Sequence, residues 1–158
     1  MSFTEKPLLE DRVRPEWVDY NGHMNDAEYA RVFSMAVDRL MEEIGITADF
    51  RNQHQYSIYT LETHLCYLAE ARVGQPLQVT VQLLDYDEKR LHVFFVMENG
   101  NGDRLATSEQ MLMGIDMQKG RPAAFPSAIE ANVKALGIRD QAKPKPAEAG
   151  RQIGIRKK

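Results

Sequence analysis

Residues 16–40 read EWVDYNGHMNDAEYARVFSMAVDRL, and they begin as a strand and finish as a helix. In the first half, polar residues take alternate positions: Asp19, Asn21, His23 and Asn25. In the second half Ala30, Phe33, Val37 and Leu40, continued by Ile44, recur every three or four residues, the period of one helix face. Ala36 and Met41 widen that stripe, while Glu42 and Glu43 fall off it. A stripe this wide predicts a helix buried against a sheet. Asn25 or Asp26 can cap the helix, Glu28 stands where a capping box places its acid, and Gly45 is positioned to end it.

The flanking sequence supplies the sheet. Upstream, Val13 to Val18 reads as a short edge strand interrupted by Pro15. Downstream, Tyr56 to Met117 reads as strand almost throughout. YSIYTLETHLCYL is rich in aromatic and β-branched residues, and Leu77, Val79, Val81 and Leu83 alternate with Gln78, Thr80 and Gln82. That alternation leaves one face wet or facing a partner. DYDEKR is a turn, LHVFFVMEN runs back, and RLATSEQMLMGID gives a further strand. NGNGD between them is a hairpin signal and not a phosphate loop, because no helix follows it. SAIEANVKALG predicts a short terminal helix, and the polar stretch after it holds a candidate strand at Ile153 to Ile155. One strand, one long helix and about four consecutive antiparallel strands make an α+β chain whose sheet must curl around the helix. Residues 1–137 are expected to form one domain and 138–158 a basic tail.

Composition sets outer limits. A chain of 158 residues, 43% apolar and 27% charged, suits one globular domain. A net charge of −3 excludes a general nucleic-acid binder. The charge is uneven, since residues 139–158 carry seven basic and two acidic side chains and leave −8 on the rest. A single cysteine allows neither a disulfide framework nor a zinc finger. The charged start MSFTEKPLLEDRV holds no signal-peptide core, and no apolar run approaches a membrane span, so the expectation is a cytoplasmic protein without a membrane partner.

The segment WVDYNGHMNDAEYARVF, with the strands that follow, resembles the hotdog-fold acyl-CoA thioesterases of the 4-hydroxybenzoyl-CoA thioesterase-like group. The Asp-x-Asn-x-His-x-Asn run is also similar to a segment of plant acyl-carrier-protein thioesterases. The likeness spans about Val13 to Pro126. It implies a sheet wrapped around the helix, two protomers paired edge to edge as a homodimer or dimer of dimers, and active sites at the interface. With its AGRQIGIRKK ending, the chain resembles in particular the thioesterases of carnitine breakdown that act on betainyl-CoA.

Thioester hydrolysis needs a nucleophile or base, and donors for the oxyanion that develops on the carbonyl. Asp19 is the candidate for the first role, by attack on the carbonyl or by activating water. Backbone N–H groups of the first helical turn, at Asp26 and Ala27, are the candidate oxyanion donors. Asn21 and His23 are placed to orient the carboxylate or to polarise the carbonyl. The bland alternatives are a turn formed by Asp19, Asn21 and Gly22, a capping Asn25 and a structural imidazole. Glu62 and His64 in TLETHL are expected to share a strand face with Thr60 and Cys66, and Glu62 resembles a glutamate of the plant enzymes. A trimethylammonium acyl group wants aromatic faces and a carboxylate, and Trp17, Tyr20, Tyr29, Tyr56 and Tyr59 are the aromatics nearest the motif, with His64 as a further contact. A metal held by His23, Glu62 and His64 is disfavoured by the loose spacing, and no cofactor is expected. Two other readings compete: a hotdog hydratase or dehydratase, against which His23 comes one residue early, and a non-catalytic acyl-CoA-binding protein.

Overall fold

The computed structural model describes residues 6–157. The long helix α1 runs Asp26–Glu43, and Tyr29, Val32, Phe33, Ala36, Val37, Leu40 and Met41 are its buried side chains. The expected stripe holds except at Ala30, which is exposed, with Val32 taking its place on the inner face. Glu28 does not close a capping box. Its carboxylate pairs with Arg31, and its N–H bonds the Asn25 carbonyl. Gly45, at φ +101°, ends the helix as expected, in a conformation that few other residues adopt.

The expected strand at Val13–Val18 is displaced. Strand β1 is Leu9–Arg12, and Pro15–Trp17 form a 3-10 turn because proline fixes φ and supplies no ladder donor. After α1 comes a helix that the periodicity did not show, α2 at Ala48–His54, capped by the Thr47 hydroxyl accepting from Phe50 N at 3.2 Å. Four long strands follow: β2 Tyr56–Tyr67, β3 Pro76–Tyr86, β4 Arg90–Asn99 and β5 Arg104–Asp116. The two-residue β6, Arg121–Pro122, pairs with β5. Helix α3, Ser127–Asp140, extends past the expected end at Gly137, and Ile153–Ile155 form no strand.

The sheet order is β1-β3-β4-β5-β2, antiparallel throughout. Thus β3, β4 and β5 are a meander, while β2 crosses over to pair with β5 and leaves its other edge unpaired among the described residues. The inner face of the curled sheet receives α1. Val79, Val93, Phe95, Met97, Leu105 and Leu112 are each 1% exposed or less, and the Phe33 and Phe95 rings lie 6.2 Å apart. Burial of side chains this large contributes about 1.5–3 kcal/mol each. Helix α3 covers the C-terminal end of α1, where the Asn132 amide donates to the Ile44 carbonyl at 2.9 Å.

Candidate active site

The alternating polar run forms a tight loop between the 3-10 turn and α1. An isolated bridge between Val18 and Met24 closes its base, and Asn25 N bonds the Trp17 carbonyl at 2.9 Å. Within it, Asp19 Oδ1 accepts from Asn21 N at 2.8 Å and His23 N at 3.1 Å, and Asp19 N donates to the His23 carbonyl at 2.9 Å. Asp19 is therefore a turn-former. The same bonds also fix its carboxylate in direction and leave Oδ2 unpartnered among the described residues. Gly22, at φ +76°, makes the reversal possible.

His23 turns toward the connection between β2 and β3, where it forms an isolated bridge with Arg72. Its Nε2 lies 3.3 Å from Glu70 Oε2 but without hydrogen-bond alignment, so this nitrogen is buried and unsatisfied among the described residues. The amide of Asn21 is exposed at the loop tip. At the start of α1, the Asp26 carboxylate takes the Ala27 N–H at 2.9 Å, whereas the Asp26 N–H stays free among the described residues. Of the two expected oxyanion donors, the one at Asp26 is open and the one at Ala27 is occupied.

A cleft of about 320 Å³ opens beside this helix start, between Met24, Asp26, Tyr29, Tyr67 and Glu70. Tyr29 is 4% exposed, and its hydroxyl donates to the Ala69 carbonyl and accepts from Ala71 N. Tyr67, from the end of β2, donates to the Asp26 carbonyl at 3.1 Å. Burial pushes both phenols up, Glu70's charge adding to it at Tyr29 and Asp26's at Tyr67, so both stay protonated and able to donate. The other expected aromatics lie elsewhere. Trp17 is a buried core residue under Arg14, Tyr20 is 97% exposed, Tyr56 is buried and donates to the Ala123 carbonyl, and Tyr59 lies on the free edge of β2. Tyr67 and Glu70 were not among the expected site residues, because the chain brings them to the motif from the far end of β2.

Glu62 and His64 do not join Asp19 within one protomer. A register shift between Thr60 and Glu62 inserts Leu61 as a bulge. An extra residue reverses the alternation, so Thr60 lies opposite Leu112 of the inner face, while Glu62, His64 and Cys66 point outward. There Glu62 and His64 border a second cavity with His92 and Glu109, roofed by Gly150 and Arg151 of the tail. His92 Nε2 meets Glu109 Oε2 at 2.6 Å, and Glu109 Oε1 accepts from Gly150 N at 2.7 Å. Burial alone would raise the Glu109 carboxyl, but these donors hold it below the usual glutamate value. Among the described residues no group of three His, Cys, Asp or Glu could hold a metal ion. None of the helices there is long and apolar enough to cross a membrane.

A hotdog sheet around one helix is the frame of the acyl-CoA thioesterases. Residues 13–133 match the thioesterase-like superfamily, and the chain belongs to it. A betainyl-CoA thioesterase of Pseudomonas aeruginosa is 44% identical over 92% of each chain. An L-carnitine dehydrogenase/betainyl-CoA thioesterase of Rhizobium meliloti is 38% identical over 93% of this chain, which spans 30% of that longer protein. A Staphylococcus aureus protein solved in complex with CoA superimposes with a TM-score of 0.90 at 31% identity over 99% of both chains. DHNA-CoA thioesterase from the same organism shares the fold, at a TM-score of 0.74 and 20% identity over 87% of this chain and 95% of its own.

Proposed function

We propose that this acyl-CoA thioesterase hydrolyses betainyl-CoA to glycine betaine and CoA in the cytoplasm, with Asp19 as its catalytic carboxylate. The observation that carries the site is the Asp19 loop: two backbone N–H groups hold Oδ1 and leave Oδ2 to act. Oδ2 attacks the thioester carbonyl or takes a proton from an attacking water, and the Asp26 N–H receives the developing oxyanion. His23 and Asn21 position the carbonyl and water around the carboxylate. The thiolate of CoA leaves without a strong general acid. The substrate reading is supported by the two relatives from Pseudomonas aeruginosa and Rhizobium meliloti, both named for betainyl-CoA thioesterase activity.

Function in this reading belongs to a homodimer or a dimer of dimers. Strand β2 ends the sheet, and its exposed edge carries Tyr59, Leu61 and Tyr67, with Leu68 just beyond its end, at 40–55% exposure. A free apolar edge of this length is covered by a second copy in a stable fold. Because the cleft beside Asp26 opens at that edge, the partner supplies its outer wall.

Asp19→Asn tests the carboxylate. Asparagine can still accept the two turn hydrogen bonds, so the loop survives while charge and nucleophilicity are lost. The expected result is a fall of at least about a hundredfold in turnover of betainyl-CoA, followed as free thiol. A folded variant with near-wild-type turnover removes Asp19 from the mechanism.

A further inference from the structure

The cleft at the start of α1 combines aromatic surface with acidic charge. Its lining includes two acidic residues, Asp26 and Glu70, and, among the described residues, no Lys or Arg. Tyr67 is 51% exposed, so one side of its ring is open, and Tyr29 packs edge to face against it at 5.2 Å from behind. The Tyr67 hydroxyl, tied to the Asp26 carbonyl, fixes the ring across the cleft. Glu70, three residues further along the same segment, also lines the cleft; its side chain is 73% exposed, with one carboxylate oxygen 3.3 Å from His23 Nε2. We propose that this cleft recognises a quaternary ammonium acyl group, and that Tyr67 and Glu70 select it over a neutral group of the same shape. The proposal rests on the thioesterase reading above and deepens it.

Distance along the substrate supports the placement. In a betainyl thioester one methylene separates the ammonium from the carbonyl carbon, so the cation must be recognised beside the reacting atoms. Met24 and Asp26 of the cleft belong to the same loop and helix start that carry Asp19 and the free N–H. Physically, the positive end of α1 disfavours a cation there by about twofold to fivefold. An aromatic face open to solvent favours it by about twofold to fivefold, rising to about thirtyfold where the second copy covers the cleft and excludes water, and the two carboxylates add to that. Attraction wins.

The test compares betainyl-CoA with 3,3-dimethylbutyryl-CoA, which replaces the ammonium nitrogen by carbon and keeps the shape. Wild type is expected to favour the charged ester in kcat/KM by at least about thirtyfold. Glu70→Gln, a surface change that does not threaten folding, and Tyr67→Leu should each shrink that ratio about tenfold. Tyr67→Phe, which keeps the ring and drops only the bond to Asp26, should keep most of it. A large wild-type ratio that survives both Glu70→Gln and Tyr67→Leu overturns this assignment and leaves the substrate reading standing. Equal rates for the two esters in wild type overturn the substrate reading instead. The cleft is then judged by titrating tetramethylammonium and following the Tyr67 ring resonances. Saturable millimolar shifts that vanish in Tyr67→Leu support a cation site, and their absence from wild type overturns it.

Discussion

Asp140 has no side-chain exposure, yet it is charged and fully partnered. Its carboxylate accepts from Leu83 N at 2.8 Å and from the Arg139 guanidinium at 2.7 and 2.9 Å, with the Lys143 ammonium at 3.1 Å. Burial pushes the acid up, but these donors outweigh it and hold it below its ordinary 3.8. A depressed folded value means that the stabilisation is present above the unfolded value and is lost as pH falls through the folded one. Asp140→Asn should therefore cost about 2 kcal/mol in urea unfolding at neutral pH, with the gap to wild type closing at pH values below that range. A constant gap down to acid unfolding would assign the loss to shape instead of charge. None of this was legible in the sequence, since Asp140 lies in a stretch that reads as basic tail. Asp19 and His23 were legible because their loop is contiguous. Tyr67, whose partner Asp26 is 41 residues away, carries no local mark of its place.

Among the elements, β3 and α1 were readable because each has a clean period, and the hairpin at NGNGD because its turn chemistry is local. Besides α2, three features were not. The crossover that pairs β2 with β5 depends on contacts far apart in sequence, the proline at 15 replaced a strand by a 3-10 turn, and the Leu61 bulge leaves no compositional trace. That bulge sits midway along the free edge of β2 and puts an aliphatic side chain, 55% exposed, where a second copy is proposed to dock. Leu61→Lys would bury an unpaired ammonium in such an interface, a penalty large enough to raise the dissociation constant at least about a hundredfold. Sedimentation should show wild-type dimers or tetramers at micromolar protein and monomers for Leu61→Lys, with turnover lost in parallel. A wild type that sediments as a monomer, or a variant that stays assembled, would refute pairing along this edge.

Across the whole molecule, an acidic body wears a basic strap. Beyond α3 the chain does not hang free but crosses the outer sheet face. The Pro144 carbonyl accepts from Gln82, Glu148 forms a two-pronged pair with Arg104 at 2.8 and 3.1 Å, and Gly150 N reaches Glu109. Under it Phe94 and Thr107, which point outward, are only 1% exposed. The apolar pair Ile153 and Ile155, read in the sequence as a candidate strand, is 92% and 86% exposed, so the strap is held by polar contacts instead. Lys143 is drawn to Asp140, which leaves Lys145, Arg151, Arg156 and Lys157 as exposed cations along its length. Those four are suited to the phosphates of CoA. Removal of residues 144–158 preserves α3 and the Asp140 network, and should raise KM for CoA esters about fivefold at low salt. Each exposed contact contributes only about 1 kcal/mol or less, and the difference should shrink as ionic strength rises. Turnover of a short acyl-pantetheine ester, which lacks the nucleotide phosphates, should change little. Equal KM values for full-length and truncated protein at low ionic strength would show that the strap only shields Phe94 and its neighbours and takes no part in holding CoA.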